Sequence, residues 1–164
     1  MEIVLSQLSG LTEVHLCLSG GCDERYFNNL KPDSLPHVRV FSIKYLQTGK
    51  RFSLDVPFRF LKAAPGIQQM EIKGCNDNPL DDPISFRYPS LEELRLVNSS
   101  PYWDEFDFLA QLPNIHSVEY SIDFDSQRFR TVPASSPADL AKAIQSHASQ
   151  LQRLHLTVGK GTPP

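Results

Sequence analysis

The 164-residue sequence predicts an α/β fold made by repetition, in which short strands stack side by side into one parallel sheet and helices lie against its other side. Three observations carry that expectation. A cadence of small residues or proline, then apolar, two variable residues, apolar, variable, apolar recurs along the whole chain. Within each copy apolar and polar residues alternate, the period of a half-buried strand. Between the copies lie segments with helical spacing or helix-start residues.

Taken in order, the six copies are LSGLTEVHLCL (8–18), LPHVRVFSIKY (35–45), APGIQQMEIKG (64–74), YPSLEELRLVN (88–98), LPNIHSVEYSI (112–122) and ASQLQRLHLTV (148–158). Their first anchors, Leu11, Val38, Ile67, Leu91, Ile115 and Leu151, are 27, 29, 24, 24 and 36 residues apart. The alternating pairs are Val14/Leu16, Phe41/Ile43, Met70/Ile72, Leu94/Leu96, Val118/Tyr120 and Leu154/Leu156. A lone strand of this kind cannot bury its apolar face, whereas parallel stacking joins the faces into one core. Residues 23–30 carry weak helical signals. Residues 56–64 (VPFRFLKAA) carry stronger ones, with Pro57 near the start and Pro65 past the end. In 104–112 acidic residues occupy the first turn, where the helix dipole favours them, with Phe106, Leu109 and Ala110 on one side. The clearest helix follows Ser136-Pro137-Ala138-Asp139, with Leu140, Ala143, Ile144 and His147 at three- and four-residue steps. The stretches 76–83 and 97–103 are dense in turn formers and read as loops.

The cadence of LPNIHSVEY, YPSLEELRLVN and APGIQQMEIKGC, with helices that end in FLAQLP or FLKAAP, resembles the leucine-rich-repeat region of F-box/leucine-rich-repeat proteins, especially the divergent ones of filamentous fungi. The resemblance spans about residues 2–158, with 159–164 left as a flexible tail. It implies a leucine-rich-repeat solenoid, a partial horseshoe with a parallel sheet on the concave face and helices on the convex face. It also implies a non-catalytic scaffold for a protein partner of unknown identity. In that family an F-box docks on an adaptor subunit of a ubiquitin ligase and the repeats hold the substrate; no segment here resembles an F-box, so the link to a ligase is one of analogy.

Composition narrows the function classes further. An apolar fraction of 40% with ten Phe supports a continuous core. The net charge is −3 and no Lys/Arg cluster could neutralise a row of phosphates, so nucleic acid is not an expected partner. No apolar run approaches the roughly 18 residues of a membrane span, and the first residues lack a signal-peptide pattern. A cytoplasmic or nuclear protein is the expectation. Cys17, Cys22 and Cys75 lack the spacing of a disulfide framework or zinc ribbon, and His15, Cys17 and Cys22 suggest no fourth metal ligand.

Catalytic motifs are absent too: no nucleophile elbow, phosphate loop, dinucleotide fingerprint or H-E-x-x-H helix occurs. The run from Asn76 to Asp82 offers oxygen ligands but not the glycine and closing glutamate of a calcium loop. His15, His37, His116, His147 and His155 are scattered. The expectation is therefore no enzyme and no cofactor. The alternative is a hydrolase or small-ligand-binding domain whose site no motif reveals, and convergence of several groups in one pocket would separate it from a scaffold.

If the strands stack in register, the residues between the last two apolar positions of each unit form one column: His15, Ser42, Glu71, Arg95, Glu119 and His155. One flanking column holds Glu13, Val40, Gln69, Glu93, Ser117 and Arg153, the other Cys17, Lys44, Lys73, Val97, Ser121 and Thr157. The expected protein-binding residues are the central column together with Glu93, Lys44, Lys73 and Arg153. Two readings of Arg95 stay open, as a neutraliser of Glu71 and Glu119 or as part of a recognition surface. Tyr102 and Trp103 either anchor a partner at the sheet margin or lid the neighbouring helix. Residues 2–16 align with 106–120, so the chain reads as an incomplete solenoid, a truncated relative of a longer protein or one whose ends are covered by a partner or by self-association.

Overall fold

The computed structural model describes residues 10–18, 30–45, 55–74, 87–97, 112–122, 141–142, 144–146 and 150–158. Each repeated cadence becomes a strand: β1 (Glu13–Leu18), β2 (Val40–Tyr45), β3 (Gln69–Lys73), β4 (Glu93–Val97), β5 (Ser117–Ile122) and β6 (Arg153–Val158). All neighbours pair parallel, and the spatial order is the chain order, β1 to β6. Helix α1 (Asp55–Ala63) lies between β2 and β3 in the chain, and residues 141–142 and 144–146 are also helical. The architecture is α/β.

The proline lead-ins are tight turns. Val38, Ile67, Leu91 and Ile115 donate their N–H groups to the carbonyls of Leu35, Ala64, Tyr88 and Leu112, at 3.2–3.3 Å. Pro36, Pro65, Pro89 and Pro113 therefore occupy the second turn position, where a fixed φ near −65° is an advantage and no N–H is required. Residues one and four of each turn are buried, so the turn drops two apolar side chains into the core at every repeat.

Just before strands β1 to β5 the units are joined to the next by a repeated main-chain contact. The carbonyls of Thr12, Arg39, Gln68, Glu92 and His116 each accept two N–H groups from the following unit, from Arg39/Val40, Gln68/Gln69, Glu92/Glu93, His116/Ser117 and Gln152/Arg153, at 2.7–3.3 Å. That contact sets the register, since it fixes the first residue of one strand against the first of the next. Side chains add to it: Arg39 Nη1 donates to the Pro36 and Gly66 carbonyls, and Asn114 Nδ2 to that of Pro89. A Cβ at Gly66 would overlap the Arg39 guanidinium, so a side chain there would require that guanidinium to move.

The inward columns form the core, with Phe41, Ile43, Met70, Ile72, Leu94, Leu96 and Val118 all buried. Helix α1 covers it through Phe60, Leu61 and Ala63, and the Phe60 ring stacks on Phe41 with centroids 4.2 Å apart. The helix was expected at 56–64 and spans Asp55–Ala63. Pro65 explains its end, because the residue before a proline disfavours the helical region. The last carbonyls of α1 are not left bare: those of Lys62 and Ala63 accept N–H groups from Asp33 and Leu35, with Asp33 in the left-handed conformation (φ 57°) that aspartate tolerates. After β3 the chain leaves through Gly74 at φ +74°, whose N–H reaches the Val97 carbonyl.

Of the other expected helices, Ile144 is half-buried against the core, as is Leu30, and Leu112 is buried. The remaining residues of 23–30 and 104–112, the loops at 76–83 and 98–103, Tyr102, Trp103, Cys22, Cys75 and the tail 159–164 lie outside the described residues.

Candidate recognition face

Because side chains alternate along a strand, the face opposite the core presents what the inward columns do not. Pairing sets His15 against Ser42, Ser42 against Glu71, Glu71 against Arg95, Arg95 against Glu119 and Glu119 against His155. The same register runs Glu93–Ser117–Arg153 on one side and Lys44–Lys73 on the other. All ten expected residues thus share one polar sheet face.

Charge alternates along its centre. Arg95 donates from Nε to Glu119 Oε2 at 2.8 Å and from Nη2 to Oε1 at 3.4 Å, a two-pronged contact. Its Nη1 lies 3.2 Å from Glu71 Oε1, which is also 3.0 Å from Lys73 Nζ. That oxygen is buried yet receives no directed hydrogen bond, so two neighbouring cations hold it by charge rather than by geometry. The Arg95 hydrogen bond pulls the Glu119 carboxyl below its ordinary range, against the opposing effect of partial burial. In return, hydrogen bonding to Glu119 holds the Arg95 guanidinium protonated above its ordinary value. Arg95 is half exposed, so each pair contributes only about 0–1 kcal/mol to stability.

Two contacts were not foreseen from the sequence. Arg153 Nη2 reaches Glu93 Oε1 at 3.1 Å, two strands away, over the small side chain of Ser117. The signal was present, because a serine between two long, oppositely charged residues of one column leaves them room to meet. At the β1 side, His15 Nδ1 lies 2.7 Å from Ser42 Oγ, and its Nε2 lies 3.4 Å from Glu13. His15 and Ser42, with Cys17, Lys44, Glu71 and Lys73, line an open depression of about 250 Å3. Cys17 is an exposed free thiol.

Among the described residues no three His, Cys, Asp or Glu side chains converge as metal ligands, and no helix is long and apolar enough to cross a membrane. Comparison with protein-family models, with curated proteins and with solved structures finds no match to this chain.

Proposed function

We propose that this chain is a non-catalytic protein-interaction scaffold, a leucine-rich-repeat solenoid forming a partial horseshoe, that holds a protein partner against the polar face of its sheet. The observation that carries the reading is the unbroken register of six strands, which lines up three side-chain columns on one surface. Repeat proteins bind through such columns, where each unit contributes one or two contacts to an extended partner. The depression beside Lys44 and Lys73 supports a protein over a small ligand. It is open, and smaller than the roughly 300–1,000 Å3 of pockets that enclose such molecules, but it has room for one side chain. The mixed charge, with Glu13, Glu71, Glu93 and Glu119 interleaved among Lys44, Lys73, Arg95 and Arg153, suits a protein surface better than a polyanion. Within this reading the partner is a substrate presented to an F-box-type ubiquitin ligase in the cytoplasm or nucleus, as the sequence resemblance implies.

The test is an affinity capture compared across variants. A protein retained by the wild-type chain should be lost with Arg95→Glu, which places a third carboxylate between Glu71 and Glu119, and kept with Lys62→Glu on helix α1. Retention by Arg95→Glu at wild-type strength removes this face from consideration.

A further inference from the structure

Among the described residues the polar face carries four permanent cations, and three of them meet a carboxylate. Lys73 reaches Glu71, Arg95 reaches Glu71 and Glu119, and Arg153 reaches Glu93. The fourth is Lys44, exposed on β2, and no acidic side chain among the described residues lies within ion-pair distance of it. Register explains why it stands alone. Its column neighbours are Cys17 on β1 and Lys73 on β3, a thiol and a second ammonium. Like charges directly opposite on adjacent strands repel. Lys73 leans away onto Glu71, with Nζ 3.0 Å from Oε1, and Lys44 has no such outlet. The whole chain carries a net charge of −3, so this corner is a local reversal of sign.

The corner is also concave. Lys44 and Lys73 line the depression of about 250 Å3 with His15, Cys17, Ser42 and Glu71. The charge of Glu71 is already met by Lys73 and Arg95, at 3.0 and 3.2 Å. Lys73 uses one of its three N–H donors there, and Lys44 keeps all of its own. His15, held by Ser42 and Glu13, forms the β1 wall.

We propose that this depression is the specificity subsite of the recognition face and takes one carboxylate side chain of the protein partner, a glutamate or aspartate held between the Lys44 and Lys73 ammonium groups. The inference rests on the scaffold reading and adds the chemistry of the partner. Charge balance selects the occupant: two lysines and the Glu71 carboxylate leave a single positive charge at the depression, which one carboxylate neutralises. A phosphoryl group would bring nearly two negative charges toward Glu71. The guanidinium fork that best grips such a group, that of Arg95, is turned onto Glu119.

Amide NMR of the full chain, titrated into the millimolar range with an acetylated Gly-Glu-Glu-Gly amide, tests this without a known partner. The expected result is saturable shifts at Cys17, Lys44 and Lys73. The glutamine counterpart of the peptide and the Lys44→Gln variant should each weaken binding by roughly tenfold, while Lys44→Arg keeps it. Absence of saturable shifts, shifts centred elsewhere, equal binding of the glutamine peptide, or tighter binding of a phosphoserine counterpart overturns the proposal. The peptide comparison needs only the wild-type chain, so it decides even if a variant fails to fold. Failure here is separable from failure of the scaffold reading. A captured protein lost with Arg95→Glu but kept with Lys44→Gln overturns the subsite and leaves the face in place.

Discussion

The middle of the sheet and its β6 border are written in the same alternating sequence pattern yet stand in opposite circumstances. Phe41, Ile43, Met70, Ile72, Leu94 and Leu96 are sealed, each strand flanked on both sides. Leu154 and Leu156 repeat that pattern with a neighbouring strand on one side only among the described residues, and remain substantially exposed. The pattern decides which way a side chain points; the next unit in the stack decides whether it is removed from water. Burial here belongs to the neighbourhood and not to the repeat.

The sharpest way to break this contrast is truncation at each place. Phe41→Ala removes a buried ring stacked on Phe60 and should cost about 3–5 kcal/mol in urea unfolding. Leu156→Ala should cost about 1 kcal/mol or less, because much of that side chain already meets solvent. Equal losses at the two sites would end the comparison. Between these in size comes Gly74→Ala, expected at about 1–2 kcal/mol. The new Cβ would be held at φ +74° and would sit 3.1 Å from the Tyr45 carbonyl. An unchanged midpoint for that variant would show that the turn relaxes freely.

The smallest expected effect concerns the polar face. Glu119→Gln removes one of the two carboxylates paired with Arg95 and should cost about 0–1 kcal/mol at neutral pH. Since the folded protein lowers the Glu119 pKa, the carboxylate's stabilising contribution is complete above the ordinary glutamate value of about 4.3 and is lost as pH falls through the lower folded value. The difference between wild type and Glu119→Gln should accordingly shrink in acid. A gap that widens on acidification would assign Glu119 a different partner.

How much of this was legible from residues alone follows the same division. The strand pairs and their register were readable, because a period of two combined with a proline turn at a fixed offset leaves one alignment. Helix α1 was readable to within a residue because Pro57 and Pro65 bracket it. The bridge from Arg39 to the Gly66 carbonyl was not, since it depends on how closely two turns approach in space. Nor was the exposure of Leu154 and Leu156, for periodicity says nothing about what lies beyond the last strand. On the candidate face the ion-pair order Glu71–Arg95–Glu119 followed from register, while the reach of Arg153 over Ser117 needed the actual side-chain geometry.

The doubly accepting carbonyl before each of strands β1 to β5 has a consequence for how such a molecule can change. Threonine, arginine, glutamine, glutamate and histidine all fill that position, and all form the same joint, because the joint uses only main-chain atoms. Side-chain identity there is unconstrained by this main-chain joint. A unit could be duplicated, removed or exchanged without any adjustment of the joint, provided its turn and its two inward residues are kept, although the side-chain bridges of Arg39 and Asn114 to neighbouring turns would have to be matched. The outward residues travel with the unit as cargo, so the pattern displayed to a partner can be rewritten one cassette at a time while the hinges between cassettes stay the same.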